Sequence, residues 1–243
     1  ISNIDSDVFE NFSKKIKNKL RGRNSPLCAI EAVKAATELD FDQGLEKERE
    51  LFKLCHDSNE SSSLIHMFFS ERQALKIPDV PKETKILPIN SAAVIGCGTM
   101  GGGIAMNFAN IGIPVTVIEN SQDSLDKGIK IIEKNYSNTV AKGRMSEDDF
   151  KNKMSLIKGA TSLESISSAD VVVEAVFEEM SLKKEMFERI DKIAKDNCIL
   201  ATNTSTLDID QIAESTNRPE FVIGTHFFSP ANVMKLLEIV RGK

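Results

Sequence analysis

The sequence predicts an α/β protein: a doubly wound, mainly parallel sheet preceded by a smaller all-helical segment. Three observations predict it. From Ser91 onward, short apolar runs alternate with helix-like segments, the order that builds parallel sheets. The first of these runs ends in a glycine-rich turn, Ala92-Ala-Val-Ile-Gly-Cys-Gly-Thr-Met-Gly101. Residues 1–77, by contrast, hold no strand-like run and space their apolar residues as helices do.

In the helical segment, apolar residues at 8, 9, 12, 16 and 20 follow a period near 3.6. Ser25-Pro26 is a cap and first-turn pair that opens a helix through Leu39. A third helix is expected over Asp42 to Cys55, and Ser61-Ser62-Ser63 precedes a fourth through Lys76. His56 and His66 have no carboxylate or cysteine pattern beside them, so they read as a helix-end histidine and a surface or packing histidine. Pro78, Pro81 and Pro88 punctuate a connection over 78–90. The expected division is therefore a helical segment 1–77, a linker 78–90 and an α/β domain 91–243. In the latter, strands are expected at Ala92–Gly96, Val115–Glu119, Met154–Lys158, Val171–Ala175, Ile199–Asn203 and Phe221–Phe227. Helices are expected at Met100–Gly112, Gln122–Lys142, Leu182–Lys195 and Asp208–Ser215, and a last apolar run covers Val233 to Val240.

Each residue of the glycine turn has a physical task. Gly96 allows the tight exit from the strand, Gly98 lets a pyrophosphate approach the backbone, and Gly101 lets helix and strand pack closely. The free N–H groups and positive end of the following helix then face phosphate. Glu119 ends the next strand, 18 residues after Gly101, close to the spacing of about 20 for a carboxylate that binds ribose hydroxyls. The pattern predicts a Rossmann-type domain that binds a dinucleotide. A carboxylate at 119 repels a 2′-phosphate, which favours NAD over NADP, while FAD uses the same fingerprint. The bland alternative is a glycine-rich turn that binds nothing.

A net charge of −5 argues against nucleic acid as a partner. No apolar run approaches the roughly 20 residues of a membrane span. The start, Ile-Ser-Asn-Ile-Asp-Ser-Asp, has neither initiator Met nor signal pattern, and the end, Glu-Ile-Val-Arg-Gly-Lys, follows an apolar run closely, so an internal piece of a longer chain is expected. Cysteines 28, 55, 97 and 198 fit no zinc spacing, and no metal is expected. Cys97 and Cys198 read as small buried residues in a reducing compartment.

Three later segments place polar residues at the carboxyl ends of strands, where open α/β sheets bind ligands. In the first, Glu178 lies past the run Val171-Val172-Val173-Glu174-Ala175-Val176, and Lys183 follows. This is either a cofactor contact or a helix start favoured by acids, with a solvated lysine. In the second, Thr202-Asn203-Thr204-Ser205-Thr206 is either a turn bonding its own backbone or a source of one hydroxyl for substrate or nicotinamide. In the third, His226 is the sole histidine of the α/β region, and Ser229-Pro230 breaks its strand. His226 and Glu238 are equidistant from Asn232, so a chain that doubles back there sets imidazole against carboxylate. Such a pair makes a general base that works near neutral pH, although an ion pair at a strand end is the simpler account.

These stretches, with Gly224-Thr-His-Phe-Phe-Ser-Pro230 and Val233-Met-Lys-Leu-Leu-Glu-Ile-Val240, resemble the L-3-hydroxyacyl-CoA dehydrogenase family over about residues 90–243. The resemblance is to the branch that joins an enoyl-CoA hydratase to this dehydrogenase in peroxisomal fatty-acid β-oxidation, with residues 1–77 like the tail of the hydratase half. It implies NAD-dependent oxidation of an L-3-hydroxyacyl-CoA to a 3-oxoacyl-CoA. It implies His226 as base, Glu238 as its partner and Ser205 as the contact to substrate hydroxyl and nicotinamide. Glu178 and Lys183 match positions that contact cofactor or close the site, and Met100 and Glu119 match adenosine-side contacts. Ser229 stands where many members have Asn and is read as a cofactor-side serine of the peroxisomal branch. The family's following helical domain, which closes the pocket and often mediates dimerisation, lies outside these 243 residues, so poor turnover is expected. The alternatives are an NAD-binding module without catalysis and another NAD-dependent oxidoreductase.

Overall fold

A computed structural model describes residues 7–77 and 79–243; the proline expected to open the linker, Pro78, and the start of the chain lie outside the described residues. The chain divides into two compact units, residues 1–85 and 86–243.

Among its described residues the first unit holds four α-helices, α1 (Asp7–Ile16), α2 (Ser25–Glu38), α3 (Phe41–His56) and α4 (Asn59–Ala74), the last beginning before Ser61-Ser62-Ser63 rather than after them. Side-chain caps set the starts of α3 and α4, whereas α2 begins after Asn24 with no side-chain cap, so Ser25 and Pro26 lie in its first turn rather than capping it. Asp40 accepts the Gln43 amide at 3.0 Å and Ser58 accepts the Ser61 amide at 3.1 Å, so each caps one orphan donor of its helix. Among the described residues of this unit, only Leu20 and Ala35 are buried hydrophobics.

The second unit is one seven-stranded sheet with helices between its strands. The strands are β1 (Ala92–Ile95), β2 (Val115–Ile118), β3 (Ile157–Ala160), β4 (Val171–Glu174), β5 (Ile199–Thr202), β6 (Val222–Phe227) and β7 (Leu237–Arg241). Their order is β3-β2-β1-β4-β5-β6-β7. All neighbours are parallel except β6 and β7. Strands β1 and β4 are buried at every position, as apolar runs covered on both faces must be. Helices α5 (Thr99–Asn110) and α6 (Gln122–Ala141) serve the cluster of Val94, Ile104, Val117 and Ile132. Helices α8 (Met180–Ile193) and α9 (Ile209–Ala213) serve that of Ile95, Phe187, Leu200 and Ile212. The strand order reverses between β1 and β4, which opens a crevice at their carboxyl ends.

The expected doubly wound sheet is therefore present, with two corrections. The strand expected at Met154–Lys158 is Ile157–Ala160, because Met154 belongs to an unforeseen helix, α7 (Glu147–Ser155). Ser146 caps that helix by accepting the Asp149 amide at 3.0 Å, and Glu147, Asp148 and Asp149 fill its first turn. The run Val233–Val240 contracts to β7, since 233–236 form turn and irregular backbone after Pro230. No helix among the described residues is long and apolar enough to cross a membrane.

Candidate functional site

Backbone geometry at the glycine loop follows from the glycines themselves. Gly96 has φ of +99°, a conformation that L side chains rarely adopt. A Cβ at Gly101 would lie 1.9 Å from the Gly96 carbonyl oxygen, so only glycine lets α5 sit this close to β1. At Gly98 a Cβ would meet nothing within 4 Å. Gly98 is the N-cap of α5 and offers no side-chain acceptor, so the first-turn amides are left to an outside acceptor. Glu119 closes the loop from β2: its Oε1 accepts the Cys97 amide at 2.6 Å and its Oε2 the Asn120 amide at 3.3 Å. Burial, and then the Glu119 charge, pushes the Cys97 thiol up to about 11. It is a packing residue, and Gly128 of α6 bares its backbone against it: a Cβ there would be 2.3 Å from Cys97 Sγ.

A cavity of about 530 Å³ lies over this loop. Gly96, Gly98, Met100 and Glu119 line it on one side, and Val176, Phe177, Met186 and Arg189 on the other. It combines an open glycine, uncapped helix amides and a carboxylate with apolar walls. These features fit a dinucleotide whose pyrophosphate rests on α5 and whose adenosine ribose meets Glu119.

The ends of β4, β5 and β6 carry the remaining residues. Glu174, the last residue of β4, is fully buried. Its carboxylate accepts Lys183 Nζ at 2.8 and 2.9 Å, Thr202 Oγ1 at 2.7 Å and the Val176 amide at 2.7 Å. Lys183 is also fully buried, so the solvated lysine weighed above is corrected: its ammonium is spent on Glu174, with Glu178 Oε2 at 3.4 Å. Nor does Glu178 decorate a helix start. It accepts the Thr204 hydroxyl at 2.5 Å and the Ser205 and Thr206 amides at 2.8 and 3.4 Å. Burial opposes its ionisation, but these donors and Lys183 outweigh burial and hold the carboxyl below its ordinary value. Ser205 is thus an exposed residue on a ledge clamped by Glu178.

Asn203 ties this ledge to the next strand, its Oδ1 accepting the Phe227 amide at 3.0 Å. On that strand His226 stands directly across from Glu238 in the β6–β7 register, and Nδ1 meets Glu238 Oε2 at 2.8 Å. The His226 ring is three-quarters buried and packs on Phe228, with centroids 4.5 Å apart, while Glu238 is half exposed. Ser229 is exposed just beyond. The chain then returns to α5: Asn107 donates to the Ala231 carbonyl at 3.0 Å, and Ala231 fits against the bare backbone of Gly103. The structure thus groups Gly96, Gly98, Met100 and Glu119 around one cavity, while Gly101 is buried behind it against the Gly96 carbonyl. Glu178, Ser205, His226, Ser229 and Glu238 occupy the adjoining strand ends, and Lys183 lies beneath them.

Sequence reasoning gave no task to Glu174, Asn203, Gly103 or Gly128. A carboxylate inside a run of valines is a usable signal, because a buried charge needs a partner. The others depend on contacts between distant segments.

The family model for 3-hydroxyacyl-CoA dehydrogenase, NAD binding domain, matches residues 91–243. The peroxisomal bifunctional enzyme of Cavia porcellus is 38% identical over 99% of this chain, and its human counterpart 37% over 99%. The chain spans about a third of the length of these curated relatives, 33% in each. Among solved structures, the dehydrogenase part of multifunctional enzyme 1 from C. elegans matches with a TM-score of 0.63 at 30% identity, over 73% of this chain and 42% of that one. The (S)-3-hydroxybutyryl-CoA dehydrogenase of Ralstonia eutropha matches with a TM-score of 0.63 at 35% identity, over 64% of this chain and 55% of that one.

Proposed function

The chain belongs to the 3-hydroxyacyl-CoA dehydrogenase family, through its NAD binding domain, and from that premise we propose that it is the NAD-binding and base-bearing part of a multifunctional β-oxidation enzyme that oxidises L-3-hydroxyacyl-CoA to 3-oxoacyl-CoA. The observation that carries this reading is the His226–Glu238 pair at 2.8 Å, set on the same sheet edge as the glycine-loop cavity.

When bound, the nicotinamide supplies the two-electron acceptor for the C3–H bond of the substrate. The chain supplies position and a base. Gly98 and the start of α5 seat the pyrophosphate, Gly96 and Gly101 shape that seat, and Glu119 with Met100 meets the adenosine half. With Nδ1–H donated to Glu238, Nε2 of His226 is the basic nitrogen and takes the C3 hydroxyl proton, while Glu238 stabilises the imidazolium that results. The Ser205 hydroxyl orients the substrate oxygen against the nicotinamide, Ser229 bounds the nicotinamide side, and Glu178 with Lys183 holds the ledge that carries Ser205. In this reading residues 1–77 are the tail of a hydratase half, 78–90 a linker and 91–243 the NAD-binding domain. The acyl-CoA is the substrate partner, dimerisation runs through a helical domain that follows in the family, and the compartment is the peroxisome, as the names of the relatives suggest.

The test is NADH titration followed by acetoacetyl-CoA reduction, with the chain and its His226→Gln variant side by side. NADH binding by both, with slow turnover only in the parent, is expected. Equal turnover in both would remove His226 from the chemistry. Binding without turnover in the parent would leave the cofactor site intact and point to the helical domain that follows in the family; a longer chain with that domain that still shows no turnover would favour a binding module.

A further inference from the structure

The buried cluster beneath Ser205 has a feature that packing alone does not require. Glu174 and Lys183 are both wholly out of water, on a strand and a helix that meet in an apolar core. Charges in such a place cost free energy, and an apolar pair of similar volume often serves stability as well or better. Here the cluster does not end on itself. All three donors to Glu174 are in place, and Lys183, fixed by Glu174 at 2.8 and 2.9 Å, stands 3.4 Å from Glu178 Oε2. The other oxygen of Glu178 holds the Thr204 hydroxyl and the Ser205 amide. One continuous line of polar contacts thus runs from the buried end of β4 to the backbone of Ser205.

We propose that Glu174 is a positioning residue: it holds Lys183 back from full contact with Glu178, which leaves Glu178 on the 204–206 loop and fixes where Ser205 meets the nicotinamide half of the dinucleotide. The inference deepens the proposed function and rests on it. Its logic is competition for one ammonium. With Glu174 neutral, Glu178 is the sole remaining carboxylate paired with Lys183. The 3.4 Å gap then closes, and Glu178 is drawn off the Ser205 and Thr206 amides. Ala175 and Val176 line the glycine-loop cavity, whose opposite wall of Gly96, Gly98 and Glu119 makes no bond to Glu174 and keeps its place.

The test uses Glu174→Gln and the double variant Glu174→Gln/Lys183→Met. The double variant removes the ammonium as well as the carboxylate, so competition for it predicts rescue there, and this arm still tests the proposal if the single variant folds poorly. Calorimetric titration with ADP reads the adenosine half and NADH reads both halves. In both variants ADP affinity stays within about twofold of the parent; NADH weakens about tenfold in Glu174→Gln, the size of one lost oriented hydrogen bond, and returns to within about threefold of the parent in the double variant, where no ammonium is left to draw Glu178 off the loop. Hydrogen exchange on the nucleotide-free chain gives a second readout: in Glu174→Gln the Ser205 and Thr206 amides exchange faster, while those of β1 and β4 do not, and in the double variant they return to the parent's rate. An NADH-to-ADP affinity ratio equal to the parent's in Glu174→Gln, an NADH loss that persists in the double variant, or unchanged exchange at Ser205 and Thr206 in Glu174→Gln would overturn the proposal and leave Glu174 a structural residue. A folded parent chain that binds neither nucleotide would overturn the underlying reading and this inference with it.

Discussion

Two alanine substitutions separate the two tasks of the glycine loop. At Gly101 the added methyl would lie 1.9 Å from the Gly96 carbonyl oxygen, 2.8 Å from its carbon and 3.3 Å from Val94 Cγ1. Backbone atoms cannot rotate away. Helix α5 must therefore withdraw from β1 by about 1.5 Å to restore ordinary contact at about 3.5 Å. Overpacking of this kind costs about 3 kcal/mol when no flexible side chain absorbs it, which in a protein of this size lowers the melting temperature by about 6–12 °C. The start of α5 moves with it, so NADH binding is lost too. At Gly98 the same methyl meets nothing within 4 Å, and a φ of −71° suits any residue. Replacing a glycine N-cap by alanine costs below about 1 kcal/mol, so Gly98→Ala melts within about 4 °C of the parent. Its methyl occupies the approach to the backbone that a pyrophosphate needs, and NADH weakens at least about tenfold. Thermal unfolding by circular dichroism and NADH titration by fluorescence read both variants. Parent-like NADH affinity in Gly98→Ala would show that the open face above residue 98 is not the phosphate seat. A parent-like melting temperature in Gly101→Ala would refute the packing argument.

Three further outcomes follow from the same contacts. Glu238→Gln, which keeps the side chain's shape but removes the charge beside His226 Nδ1, should lower acetoacetyl-CoA turnover about a hundredfold with NADH affinity unchanged; unaltered turnover in steady-state kinetics would dismiss the pair. Arg218 bonds Asp191 Oδ1 at 2.5 Å and the carbonyls of Asp191 and Lys195 at 2.7 Å each, so Arg218→Ala should lower stability in urea by about 3 kcal/mol without weakening NADH. Lys195, then the Asn90 amide, holds the Asp170 carboxyl down at about 2 from its ordinary 3.8. A depressed carboxylate stabilises the fold fully above pH 3.8 and loses that contribution as pH falls through about 2. The stability gap between the parent and Asp170→Asn should therefore be widest near neutrality and shrink across that window in acid titrations; a gap that stays constant would count against the assignment.

The sequence announced the glycine loop because strand, turn, helix and Glu119 are close along the chain and each residue type there has a single physical use. His226 and Glu238 were legible for a related reason: they are symmetric about Asn232, and an antiparallel return sets such positions face to face. Helix α7 was missed because the apolar Met154, Leu156 and Ile157 look like one run, although Ser146 and three acids mark a helix start just before them. The cluster under Ser205 was missed for a different reason. Glu174, Lys183 and Thr202 come from β4, α8 and β5, and nothing local tells that the three side chains converge. Gly128 is similar: its partner Cys97 belongs to another element, so its need to be bare is visible only in the packed fold.

The central claim, that the loop from Gly96 to Gly101 with Glu119 is an NAD site, is tested most directly by titrating the folded chain with NADH and, in parallel, with NADPH. Glu119 lies pinned against the loop through the Cys97 amide, where a 2′-phosphate would meet its charge. The account predicts saturable NADH binding at least about tenfold tighter than NADPH. Equal affinity for the two would contradict the role of Glu119, and absence of NADH binding by a folded chain would contradict the site itself.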